Sequence, residues 1–123
     1  MILLDSFGWI EYLVDGPLAN KYEIYFKDIH QIITPTIVLY EVYKKVKKER
    51  NEEDILLIMA QMQKTKIVVL TEEITIKSAE ISLTYKLPLA DSIIYATAKI
   101  EGVPLVTSDP HLEKLDGVKF IKT

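Results

Sequence analysis

The chain predicts an α/β domain in three layers, with a central, mostly parallel sheet between two layers of helices. Three observations predict it. Short apolar, β-branched runs such as Ile2–Leu4 and Val103–Thr107 alternate with amphipathic stretches long enough for three or four helical turns. The four glycines and five prolines fall singly, most of them at expected turns, with no Gly- or Pro-rich linker. At 123 residues, 49% of them hydrophobic and none cysteine, the chain fits one domain (1–123) with a core that needs no disulfide or thiolate metal site.

Each element has its own warrant. Ile2–Leu4 is a short run of the kind buried parallel strands show, and Ser6 is the expected N-cap of a helix carrying Phe7, Trp9, Ile10, Leu13 and Val14. Asp15-Gly16-Pro17 ends that helix, and a second is expected from Pro17 to about Lys27. A strand over Gln31–Thr34 leads through Pro35 and Thr36 into a helix from about Ile37 to Arg50, and another follows from Glu52 to Lys64. Ile67–Leu70 reads as a strand, Glu72–Tyr85 as a helix, and Leu89–Ile100 as a strongly apolar helix stopped by Gly102. Strands at Val103–Thr107 and Val118–Ile121 close the domain. Phe7, Trp9, Tyr12 and Tyr22 to Phe26 offer material either for the core or for an interaction surface.

Charge narrows the function. A formal net charge of −3 argues against a general polyanion binder. All basic residues but Arg50 are lysine, and a cluster runs through Lys44, Lys45, Lys47, Lys48 and Arg50. Such a patch suits loose phosphate attraction or simply a solvated helix face. No apolar run approaches the roughly 20 residues that span a bilayer, and Met1-Ile2-Leu3-Leu4 meets Asp5 without a basic leader. With cysteine absent, a cytoplasmic protein with no membrane attachment is expected.

Ligands of doubly wound sheets bind beyond the carboxyl ends of the strands, so the acids there matter most. Asp5 follows the first strand and Asp109 follows Thr107 by two residues. Each also has an ordinary role open to it, Asp5 as a helix cap and Asp109 as an N-cap ahead of Pro110. Asp91 stands in a helix that is apolar nearly all round, where a carboxylate must be paired, hydrogen-bonded or metal-bound. Glu41 lies at the margin of the face formed by Val38, Leu39, Val42 and Val46, with Lys45 four residues on as an ordinary pairing partner. A parallel sheet can bring all four acids to one rim, where mutual repulsion calls for a cation. Oxygen ligands without cysteine select Mg²⁺ or Mn²⁺ over zinc. His30 and His111 are assigned no part in it.

These residues match a known pattern. Leu3-Leu4-Asp5-Ser6, Thr34-Pro35 with Tyr40-Glu41-Val42, Leu89-Ala90-Asp91-Ser92-Ile93-Ile94-Tyr95-Ala96-Thr97-Ala98 and Gly102-Val103-Pro104-Leu105-Val106-Thr107-Ser108-Asp109 together resemble a PIN-domain ribonuclease, in particular the VapC-type toxin of prokaryotic toxin–antitoxin pairs. The likeness covers essentially the whole chain. It implies a PIN-like fold, an acidic quartet of Asp5, Glu41, Asp91 and Asp109, and auxiliary hydroxyls on Ser6 and Thr107. Asp5, Asp91 and Asp109 would hold Mg²⁺ or Mn²⁺, and Glu41 would bind through water or position the water that cleaves an RNA phosphodiester. Lys45 and Lys48, on Glu41's side of its helix, are candidates for flanking phosphates. A small antitoxin and a homodimer are the implied protein partners. His111 departs from the pattern, standing where many relatives carry a further acid.

Three other functions fit parts of the sequence. A housekeeping RNA-processing nuclease would share the site, while a non-catalytic interaction module would use the acids only as caps. A phosphoacceptor receiver would need an acidic pair after the first strand and a lysine after the fifth; Asp5 is followed by Ser6-Phe7, and Thr107 by Ser108-Asp109.

Overall fold

A computed structural model describes residues 1–122. Five strands form one sheet: β1 (Ile2–Leu4), β2 (Ile32–Pro35), β3 (Lys66–Val68), β4 (Leu105–Thr107) and β5 (Val118–Phe120). Their order is β3-β2-β1-β4-β5, and every neighbouring pair is parallel. The sheet is thus parallel throughout. Between the strands run six α-helices: α1 (Ser6–Leu13), α2 (Ala19–Tyr22), α3 (Thr36–Glu49), α4 (Glu52–Met62), α5 (Glu72–Tyr85) and α6 (Leu89–Glu101). All four residues of β2 and all three of β4 are buried, as befits strands covered on both faces. The expected three-layer α/β architecture is the one observed.

The core gathers Leu3, Leu4, Ile32, Ile33, Leu105 and Val106 from the strands with Trp9, Tyr22, Val38 and Ile94 from the helices. Helix ends follow local chemistry. The Asn51 side chain accepts from the Asp54 N–H at the start of α4, and Thr71 from the Ile74 N–H at the start of α5, each ahead of acidic residues that favour the positive end of the helix. Gly102 closes α6 at φ 69°, a left-handed turn that glycine adopts without penalty.

Some expected boundaries shift. The second helix does not continue from Pro17 to Lys27; α2 tightens into a 3-10 turn over Glu23–Phe26. That stretch is rich in aromatic and β-branched residues, weak helix formers. The turn brings Phe26 edge-on to Trp9, with ring centroids 5.0 Å apart, and stacks it on Tyr12 at 3.9 Å. Trp9 and Tyr22 are core residues, whereas Phe7, Tyr12 and Ile24 stay exposed. Asp5, not Ser6, is the N-cap of α1, and its carboxylate makes no capping hydrogen bond to the helix. β3 starts one residue earlier than expected because Lys66 pairs with Ile33, and it ends before the exposed Val69 and Leu70. β4 begins only at Leu105 and β5 stops at Phe120, so both are shorter than their apolar runs.

Gly8 is set by a close approach. A Cβ there would lie 2.6 Å from the Tyr22 ring and 2.7 Å from a Leu4 methyl. The bare backbone lets Tyr22 lie against α1, with its hydroxyl 2.5 Å from Ser108 Oγ beside β4.

The strand order carries a functional consequence. From β1 the chain steps to β2 and β3 on one side, then crosses back to place β4 on the other side of β1. The crevice above such a reversal, at the carboxyl ends of β1 and β4, is where open α/β sheets bind ligands.

Candidate metal centre

Four elements deliver acids to that crevice. Asp5 follows β1, and Asp109 follows β4 by two residues. Glu41 lies in the second turn of α3, the helix that leaves β2. Asp91 lies in the first turn of α6, whose far end hands the chain to β4 through Val103 and Pro104, so the helix begins at the carboxyl edge.

Hydroxyls join them. Thr107 Oγ1 donates to Asp5 Oδ2 at 2.6 Å and accepts from the Asp109 N–H at 3.0 Å. Ser6 Oγ lies 3.0 Å from Glu41 Oε1 and 3.2 Å from Asp5 Oδ1. Ser6 and Thr107 thus link Asp5 to Glu41 on one side and to the Asp109 backbone on the other. Lys45 does not pair with Glu41 as their spacing allows. It bonds Glu49 at 2.9 Å, and Glu41 turns inward to Ser6.

Asp109 fills both roles open to it. Its carboxylate caps the 3-10 turn Pro110–Leu112 by accepting the His111 N–H at 2.9 Å, with Pro110 at the first position. The same turn swings the His111 ring to the site, its Nδ1 2.8 Å from Asp109 Oδ1 and 3.6 Å from Asp91 Oδ2. Among the described residues, Asp91, Asp109 and His111 form the group whose ligand atoms all lie within 4.8 Å of one another. Sequence reasoning gave His111 no part here. The signal was the Asp-Pro-X turn, which ties the third residue to the acid that opens it. His30 lies elsewhere, its Nδ1 3.0 Å from the Lys64 carbonyl.

Crowding and burial shift the acids. Burial pushes Asp5 above the usual carboxylate range, with the Thr107 hydroxyl pulling it back and the Asp109 charge adding to the rise. Burial raises Glu41 too, opposed by Ser6 and reinforced by the charges of Asp5 and Asp109. Asp91 rises to about 7, first through burial and then through its contact with Asp109. Burial works on Asp109 as well, but bonds from His111 and Asp91 hold it below the ordinary value. His111 is raised by its bond to Asp109. A set of carboxylates that cannot all be charged cheaply is one that a hard cation would stabilise. The residues therefore fit a divalent ion.

Beside Glu41 the outer face of α3 carries Tyr40, Lys44, Lys45 and Lys48 around a shallow depression. Lys45 is paired with Glu49, and Lys47 with Glu52 at 2.6 Å. Lys44 and Lys48 make no ion pair among the described residues; the Lys44 ammonium lies 5.7 Å from the Tyr40 ring centre.

A profile of the PIN domain matches residues 2–118. This chain belongs to the PIN domain family. Among curated protein sequences none matches it. Solved structures share the PIN fold over nearly its whole length. A toxin–antitoxin complex from Klebsiella pneumoniae aligns with a TM-score of 0.83 at 24% identity, covering 97% of this chain and 96% of that one. VapBC2 from Rickettsia felis, bound to a DNA fragment from its promoter, aligns at 0.76 and 19% identity over 98% of both chains. Mycobacterium tuberculosis VapC20, a toxin that cleaves the sarcin-ricin loop, aligns at 0.70 and 12% identity, covering 83% of this chain and 84% of that one. No helix of the described residues is long and apolar enough to cross a membrane.

Proposed function

We propose that this PIN domain is a divalent-metal-dependent endoribonuclease and the toxin of a VapBC-type toxin–antitoxin pair, acting in the cytoplasm. The observation that carries the reading is the convergence of Asp5, Glu41, Asp91 and Asp109 above the β1/β4 crevice, with Ser6 and Thr107 linking Asp5 to Glu41 and to the Asp109 backbone and Asp91 in contact with Asp109. Asp5, Asp91 and Asp109 would hold Mg²⁺ or Mn²⁺. When bound, the ion neutralises charge on the scissile phosphoryl group and acidifies a water.

The chain's own side chains do the rest. Thr107 and Ser6 orient the Asp5 carboxylate toward the crevice and favour its ionised form. Glu41 accepts from Ser6 at Oε1, which leaves Oε2 to orient a water and take its proton; burial raises its affinity for a proton and so makes it a better base than an exposed glutamate. Lys44 and Lys48 attract the flanking phosphates, with Lys45 a weaker contributor because Glu49 already holds it. The likeness to toxin–antitoxin complexes supports an antitoxin partner, and the proposal adds that it is small, lies over this rim and meets a homodimeric toxin.

The test is cleavage of labelled RNA by purified protein with Mg²⁺ or Mn²⁺. Asp91→Asn and Asp5→Asn are expected to abolish it while the protein stays folded; undiminished cleavage by Asp91→Asn overturns the nuclease reading. A small protein encoded beside this one, co-purifying and blocking cleavage, is the expected result for a toxin. A housekeeping nuclease would lack it.

A further inference from the structure

We propose that His111 is itself a ligand of the divalent ion, through Nδ1, and that its imidazole turns the site's preference from Mg²⁺ toward Mn²⁺. The inference rests on the metal-dependent reading above and deepens it.

The geometry comes first. His111 Nδ1 lies 2.8 Å from Asp109 Oδ1 and 3.6 Å from Asp91 Oδ2. Octahedral ions bound at about 2.1 Å set adjacent ligand atoms about 3 Å apart, so these separations suit neighbours on one ion. The ring is held there by the chain. Asp109 caps the 3-10 turn through the His111 N–H, and Pro110 fixes the turn's first residue.

Asp91 supplies an independent observation. It is only 8% exposed, yet among the described residues no N–H or alcohol donates to it, and the partner it does have is a second acid, Asp109, which it can bond only by keeping a proton. Two buried acids that meet only by sharing a proton leave a place that a cation can take. His111 Nδ1, at 3.6 Å, is beyond hydrogen-bond distance and well placed to share an ion with it.

Donor chemistry sets the preference. Mg²⁺ demands oxygen ligands and sheds water reluctantly, while the first-row transition ions accept imidazole, Mn²⁺ being the one that also suits carboxylate and water. An aspartate at 111 would make an all-oxygen site suited to Mg²⁺.

The same contacts admit one rival, an imidazolium that stands in for the cation and competes with it. The two differ in sign. Calorimetric titration of the protein without RNA, using Mn²⁺ and Mg²⁺ separately, compares the wild type with His111→Ala and His111→Asp; the ring is 60% exposed, so neither change opens a core cavity. A ligand role predicts that His111→Ala weakens Mn²⁺ by about tenfold or more and Mg²⁺ far less, and that His111→Asp reverses the preference. Pulsed EPR of the Mn²⁺-loaded wild type should show a ¹⁴N coupling that His111→Ala loses. Tighter binding of both ions by His111→Ala, or Mn²⁺ bound without that coupling, overturns the proposal and leaves the nuclease reading standing. Failure of the wild type to bind either ion overturns both.

Discussion

Asp5 and Asp91 stand at the same rim, 4% and 8% exposed, and the chain treats them in opposite ways. Asp5 receives Thr107 at 2.6 Å and Ser6 at 3.2 Å, so its negative charge is partly met by the protein itself. Asp91 has Asp109 and His111 for neighbours and rises to about 7. Asp5 is pre-organised by hydroxyls; Asp91 meets another acid instead. The difference teaches where metal binding should be felt as stability.

The largest expected effect breaks the comparison on one side only. Asp91→Asn should lower RNA cleavage by at least about 100-fold, since a charged ligand is lost, yet raise the stability of the metal-free protein at pH 8 by about 1–3 kcal/mol, because a buried carboxylate no longer has to ionise. Single-turnover cleavage and urea denaturation in EDTA check the two halves. Thr107→Val should sharpen the contrast by making Asp5 resemble Asp91. It removes the donor to Asp5 and the acceptor of the Asp109 N–H, and should cost about 1–3 kcal/mol by urea denaturation while slowing cleavage.

The pH dependence follows the same line. In the folded chain Asp91 binds its proton up to about pH 7, whereas the unfolded chain releases it near 3.8. Its contribution to stability is therefore full below about 3.8 and is lost as pH rises through about 7. Denaturation midpoints in EDTA should fall across that window through this group, with a smaller fall in Asp91→Asn. Saturating Mn²⁺, which binds the native state, should offset the loss.

Smaller effects test the supports. Gly8→Ala drives a methyl into Tyr22 and Leu4 and should cost about 1–3 kcal/mol, measured by thermal unfolding. Lys48→Ala and Lys44→Ala should each weaken RNA binding evenly across sequences and reduce the salt slope by about one, with Lys45→Ala weaker in effect. Filter binding at several salt concentrations reads it.

Much of this was legible in the residues, for reasons that differ from site to site. Asp91 stood out because α6 is apolar nearly all round, and a lone carboxylate in such a helix has few explanations. Asp109 could not be resolved between cap and site because it is a cap and also faces the cluster. Glu41 was obscured by Lys45 at the spacing of a helical pair; the competing partner, Ser6, lies 35 residues away in sequence and is invisible to any local rule. His111 was missed because a histidine two residues past an acid looks like a surface turn until the capped turn is seen to aim it. The second helix failed on local propensity, since Phe26 finds Trp9 and Tyr12 only through the tighter 3-10 path.

The strand order has one more consequence, in the time domain of synthesis. β1 is made well before its neighbour β4, and the Thr107–Asp5 bond closes a separation of 102 residues. A nascent chain carries Asp5, Glu41 and later Asp91 with β2 on one side of β1 but not yet β4 on the other. The acid cluster is therefore complete only once the chain through Asp109 has left the ribosome, and the proposed site cannot form on a shorter nascent chain.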